Sequence, residues 1–180
     1  MAKDILVLEG EWEKHPKHKI SIEAALRFIK DVCNYDYHHR RVAMKEDFFF
    51  YLKKAKYKHF AIVYLAFHGS KGCIYLGDNE QVLSLDEIAE SCGSYLEGKI
   101  VHFGSCGTLN LGQDDLLDFK KWTGAKHVSG YTRNIDFVDS SFFDIAYFRW
   151  LGKYKKTGYV DNRLKKEYPG LYERLGFVMV

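Results

Sequence analysis

The most strand-like stretch of the chain covers residues 59–67, H-F-A-I-V-Y-L-A-F, a nearly continuous β-branched and aromatic run of the kind central parallel strands carry. It stops at His68 and Gly69. A second central strand, predicted over residues 99–103, leads straight into Gly104, Ser105, Cys106 and Gly107. Residues 4–10, 126–132 and 175–180 read as further strands, and residues 41–44 as a short one. Between these runs the apolar spacing changes to three and four. Ile22, Ala25, Leu26, Ile29 and Val32 follow Ser21, an N-cap residue type, and Phe48, Phe49, Leu52 and Ala55 form a second helical face within residues 45–56. Further helices are predicted from Ser84 or Asp86 through Cys92, over residues 114–123 with Leu116, Leu117 and Phe119 inward and Gly124 as the stop, and over residues 139–151. Residues 72–77 and 81–83 read as two short strands around a turn at 78–80, a small hairpin after His68.

Strand and helix alternate along most of the chain, which predicts an α/β three-layer sandwich: a mostly parallel central sheet with helices on both faces and right-handed crossovers. With 180 residues, no internal repeat and no low-complexity linker, residues 1–180 are expected to form a single domain. Charge changes little in this picture. The net charge of +3 is too small to imply a nucleic-acid partner, and the runs H-H-R-R (38–41) and K-Y-K-K (153–156) are read as solvated faces. Neither a stretch of about 20 apolar residues nor a secretory pattern is present, so no membrane association is expected. Aromatic residues make up 16%, which core packing accounts for. The four cysteines, Cys33, Cys73, Cys92 and Cys106, lack C-x-x-C spacing and disulfide-scaffold density, and suit a reducing cytoplasm. The His-bearing segment 11–18 lacks a recognised metal-ligand spacing and is read as a surface loop, so neither a metal nor another cofactor is expected.

In an open sheet of this kind ligands bind beyond the carboxyl ends of the strands. Two central strands end there in groups able to do chemistry, His68 before Gly69 and Cys106 before Gly107. If the strands are neighbours, the imidazole can take the thiol proton as Cys106 attacks a carbonyl and later return it to a departing amine. Each glycine would let a substrate backbone approach, and the amides of Gly69 and Cys106 are candidate oxyanion donors. A lone Cys or His at a strand end is usually a buried hydrophobe or a hydrogen-bonded loop residue. The pairing with glycines and the element order favour chemistry here. His102 lies inside its strand and points away by alternation, Ser105 has no G-x-S-x-G elbow around it, and Cys73 and Cys92 are read as structural.

The segment V-Y-L-A-F-H-G-S (63–70), a short hairpin, and then G-K-I-V-H-F-G-S-C-G (98–107) resemble the strand-His-Gly and strand-Cys-Gly pair of caspase-like cysteine peptidases, especially the CHAT branch, which includes relatives of separase. G-A-K-H-V-S-G-Y-T-R-N-I-D (124–136) and the aromatic helix after it resemble the CHAT segment following the nucleophile. The resemblance implies a caspase–hemoglobinase fold with flavodoxin-like strand order and a Cys106–His68 dyad cleaving peptide bonds. It also implies a basic P1 side chain bound by Asp136, with Asp139 the alternate; Asp139 as an N-cap is an equal reading. The caspase signature Q-A-C-x-G is absent, and 38 residues separate the pair where caspases have about 50. The expected partners are a protein or peptide substrate and an activating or regulatory protein. The competing expectations are a catalytically silent caspase-like scaffold that binds a partner, and a flavodoxin-like nucleotide binder. The latter is disfavoured because neither G-x-G-x-x-G nor G-x-x-x-x-G-K-[ST] occurs.

Overall fold

The computed structural model describes residues 3–12, 20–77, 81–154 and 156–180. The turn predicted at 78–80, most of segment 11–18, and Lys155 within the 153–156 run lie outside the described residues. The chain opens with β1 (Lys3–Glu9), α1 (Glu23–Cys33), β2 (Tyr35–Arg41) and α2 (Lys45–Leu52), the last extended by a 3-10 turn over Lys53–Lys56. Then come β3 (Phe60–Ala66), β4 (His68–Ser70), β5 (Cys73–Leu76), β6 (Gln81–Ser84) and α3 (Leu85–Ser91). The second half holds β7 (Ile100–Gly104), α4 (Gln113–Thr123), β8 (His127–Tyr131) and α5 (Phe137–Lys153). Two further helices, α6 (Thr157–Glu167) and α7 (Pro169–Leu175), precede β9 (Phe177–Met179).

A six-stranded sheet runs in the order β2-β1-β3-β7-β8-β9. The first five strands are parallel, and β9 lies antiparallel on β8. Taken by position, the five parallel strands follow the flavodoxin-like order 2-1-3-4-5. Along β1 the pleat sends Leu6 and Leu8 to one face and Ile5 and Val7 to the other, so each face builds its own core. One core joins the sheet to α2, α3 and α4, and the other joins it to α1, α5, α6 and α7. The result is the expected three-layer sandwich. Burial of each large apolar side chain, such as Phe67, Phe103 or Phe148, contributes about 1.5–3 kcal/mol. No helix among the described residues is long and apolar enough to cross a membrane.

Some predicted boundaries move. The second strand is Tyr35–Arg41, not residues 41–44: an edge strand covered on one side carries the alternating Y-D-Y-H-H-R-R, which has little apolar signal. Val32 and Leu117, predicted inward, are exposed. The hairpin after His68 is a three-stranded antiparallel sheet, because residues 68–70 themselves pair with β5 as β4. Ser84, not Asp86, caps α3 by accepting from the Glu87 amide at 3.1 Å. Both α6 and α7 escaped the periodicity, although Pro169 in the first turn of α7 and Gly176 just beyond it, at φ +61°, are start and stop signals.

Candidate active site

The pairing of β3 with β7 runs from Ile62 opposite Ile100 to Ala66 opposite Gly104, each residue facing the one 38 positions later. His68 and Cys106 stand two residues beyond the last pair and keep the same offset. Adjacent parallel strands thus deliver both to one sheet edge, where they line a common pocket of about 120 Å³ with Trp12, Tyr64, Ile135 and Phe137.

His68 is oriented through the backbone. Its Nε2 lies 2.9 Å from the Trp12 carbonyl, and its ring meets the Trp12 indole edge-on at 5.2 Å. A carbonyl only accepts, so this bond places the proton on Nε2 and leaves Nδ1 as the basic nitrogen. Trp12 is held in turn by its indole N–H, which donates to Glu9 Oε1 at 2.5 Å. Glu9 ends β1 fully buried and also accepts from Ser21 Oγ (2.8 Å) and the Ile22 amide (2.9 Å). Its Oε2 lies 2.6 Å from His39 Nε2 and 3.5 Å from Arg41 Nε. Burial pushes the Glu9 carboxyl up, but the hydrogen bonds from His39, Trp12, Ile22 and Ser21 together outweigh it and hold the group below its ordinary range.

Cys106 is half-buried in a braced turn. Its Sγ accepts from the Ile135 amide at 3.4 Å and lies 3.7 Å from the Ile135 carbonyl, and it makes no hydrogen bond to the imidazole. Among the described residues no acceptor meets the Cys106 amide. Gly107 adopts φ +58°, a left-handed turn that suits glycine, and donates to the Arg133 carbonyl at 2.8 Å. Thr108 Oγ1 donates to the Cys73 carbonyl at 3.0 Å and accepts from Ser105 Oγ at 2.7 Å. The strap that carries Ile135 is anchored at its start, where the Thr132 amide and hydroxyl both donate to the Gly176 carbonyl at 3.0 Å.

Two expectations need correction, the open loop at Gly69 and the N-cap role of Asp139. Gly69 sits inside β4 opposite Ile74, not in an open loop, and a Cβ there would lie 2.3 Å from Thr108 Oγ1. That space is filled by the protein itself, so the missing side chain serves packing of the Cys106 turn and not substrate approach. Asp136 caps α5, its Oδ1 accepting from the Val138 and Asp139 amides at 2.8 and 3.0 Å. Asp139 is therefore not the cap; it pairs with Arg174 at 2.6 Å. Neither carboxylate lines the pocket shared by His68 and Cys106. His102 and Ser105 are both buried; Ser105 borders the pocket, and His102 is not among its lining residues.

Beneath the pocket lies a buried polar network that sequence reasoning missed. Asp144, 3% exposed, accepts from Tyr64, from Tyr131 and from His102 Nε2 at 2.8 Å. The other ring nitrogen of His102 accepts from Ser129 Oγ at 2.9 Å, and the Tyr147 hydroxyl donates to Ser129 at 2.9 Å. Burial first, then the Asp144 charge and hydrogen bond, push the Tyr64 and Tyr131 phenols well above their ordinary range, keeping both as neutral donors. Tyr64 connects network and site, since its ring lines the pocket and occupies the space that a side chain at Gly104 would need. An acid in the middle of an aromatic helix was the available signal. At the opposite, amino-terminal end of the strands, Asp4, His38 and His59 bring ligand atoms within 4.8 Å of one another and are the described residues that could hold a metal ion.

The chain belongs to DUF6642, a family of unknown function whose model matches residues 3–180. No curated protein matches the chain.

Proposed function

We propose that this DUF6642 member is a caspase-like cysteine endopeptidase in which Cys106 is the nucleophile and His68 the acid/base. The observation that carries the reading is the common register of the two residues on neighbouring parallel strands and their shared pocket. In this reaction Sγ swings off Ile135, loses its proton to His68 Nδ1 and bonds to the scissile carbonyl carbon, while the Cys106 amide donates to the oxyanion. The imidazolium then gives its proton to the leaving amine as the C–N bond breaks. Water, deprotonated by the same nitrogen, attacks the thioester; the second product leaves as a carboxylic acid and the thiol is restored. The Trp12 carbonyl holds the ring so that Nδ1 keeps its direction through both steps.

The substrate class is a protein or peptide. A basic residue before the scissile bond follows from the resemblance, with Asp136, exposed between the pocket residues Ile135 and Phe137, as its partner. Four free thiols and a thiolate mechanism suit the reducing cytoplasm. A second reading, a silent scaffold that binds a partner in the same cleft, is favoured by one contact: Sγ is bonded to Ile135 and not to the imidazole. An activating protein would have that contact to break.

Limiting iodoacetamide on the native protein, with the modified cysteine mapped by mass spectrometry, separates the two. Burial pushes the Cys33 and Cys92 thiols up, which slows them. Selective labelling of Cys106 that weakens in His68→Ala is the expected result, followed by Cys106-dependent cleavage of Arg- or Lys-ended fluorogenic peptides. Indifferent labelling of Cys106, unaffected by His68→Ala, sinks the peptidase in favour of the scaffold. Clean cleavage after Asp with none after Arg or Lys removes the role of Asp136.

A further inference from the structure

The pocket of about 120 Å³ at His68 and Cys106 is below the ~300–1,000 Å³ of ligand sites and leaves no room for a bulky side chain. Beside it, between the first turns of α1 and α5, lies a groove of about 420 Å³. Ala25 and Phe28 form one wall, and Val138 and Phe142 the other. Ile22, Phe137 and Ser141 line both depressions, so the two adjoin. Among the described residues no charged side chain lines the groove, and Phe28, Val138 and Phe142 are 51%, 57% and 64% exposed. Exposed apolar side chains gathered on one concave surface mark a binding site more often than a bare face.

The geometry points to this groove as a specificity subsite that takes a large apolar side chain of the substrate, within a few residues of the bond facing Cys106. The inference rests on the peptidase reading. The shared walls decide the occupant: a polypeptide whose backbone crosses Cys106 has this groove as the adjoining space for a bulky neighbour. The groove is also tied to the catalytic geometry through one group. Glu9 accepts from the Ile22 amide at the start of α1 and from the Trp12 indole whose carbonyl orients His68, so groove wall and imidazole share an anchor.

Three fluorescein-labelled decapeptides test this, each with a central Arg in a Ser background: one with Leu at the four positions before Arg, one with Leu at the four after it, one with Ser throughout. Binding is followed by anisotropy on the Cys106→Ser protein, and cleavage on the native protein. One Leu peptide is expected to bind and be cleaved at least about tenfold better than the Ser peptide. Phe28→Glu and Phe142→Glu, both at exposed positions, should erase that preference and leave turnover of the Ser peptide unchanged. Ala25→Trp, which fills the groove without adding charge, should do the same. Cleavage without a Leu preference, or a preference that survives all three substitutions, overturns the subsite while the peptidase stands. Leu-dependent binding that the substitutions abolish, with no cleavage of any peptide, keeps the groove as a binding site and overturns the peptidase. Absence of both binding and cleavage overturns both.

Discussion

At Glu9, one buried carboxylate collects five partners and places two of them, Trp12 and Ile22, against the site. Its folded-state proton affinity is depressed below the ordinary value of about 4.5, so the ionised form adds stability above that pH, and the contribution is lost as pH falls through the lowered value. Glu9→Gln should therefore cost stability at pH 7 and cost much less near pH 3 in urea denaturation. An equal cost at both pH values would detach the effect from ionisation. Glu9→Ala, which leaves the Trp12 indole, the Ile22 amide and His39 without their buried acceptor, should lose about 3 kcal/mol at neutral pH. His68 and Cys106 were legible in the sequence because each closes an apolar run and precedes a glycine. Glu9 was not, since an acid at the end of an apolar strand reads as the strand's exit to solvent. Trp12 was illegible for another reason: its contribution to His68 is a main-chain carbonyl, which any residue type carries.

Among elements, β4 and the Cys106 turn are fitted face to face at Gly69, where a Cβ would lie 2.3 Å from Thr108 Oγ1 and 3.0 Å from Ser105 Cβ. Gly69→Ala is expected to displace the turn and slow Cys106 alkylation, and the double variant with Thr108→Ala, which removes the nearest atom, should recover part of the rate. A failure of Thr108→Ala to restore any labelling would mean that the strain lies elsewhere. In α5, Asp144 satisfies three donors from β3, β7 and β8. Asp144→Ala leaves those donors buried without their acceptor and should cost about 3–5 kcal/mol, measurable by chemical denaturation; an effect under about 1 kcal/mol would show that the network relaxes onto other partners. Strands with both faces covered, β3 and β7, were readable as apolar runs. The edge strand β2 was not, because a polar alternating sequence suffices where one side stays open, and α6, with Thr157, Val160 and Leu164 as its buried residues, gave too thin a stripe.

Across the whole molecule the sheet sets a gradient of protection. The central strands β3 and β7 are covered on both faces, while β2 closes one edge of the main sheet and β4 and β6 close the small one. Amide hydrogen exchange should be slowest in β3 and β7 and fastest in β2, β4 and β6; equally slow exchange in β4 would place His68 on a rigid element instead of an adjustable one. The three-layer arrangement was legible from the alternation of strand and helix, because most strand–helix steps obey local periodicity and crossover handedness, even though β2, α6 and α7 were not read. The pocket was legible only in its two chemical residues, since its walls come from residues far apart in the chain. Thr132 belongs to the strap that carries Ile135 to Sγ, and it is tied to Gly176 near the far end of the described chain. Synthesis proceeds from the amino terminus at about 5–20 residues per second. A ribosome therefore exposes His68 and Cys106 several seconds before it supplies Gly176, and the nascent chain carries the Cys106 thiol through that interval without the tie that fixes the pocket wall.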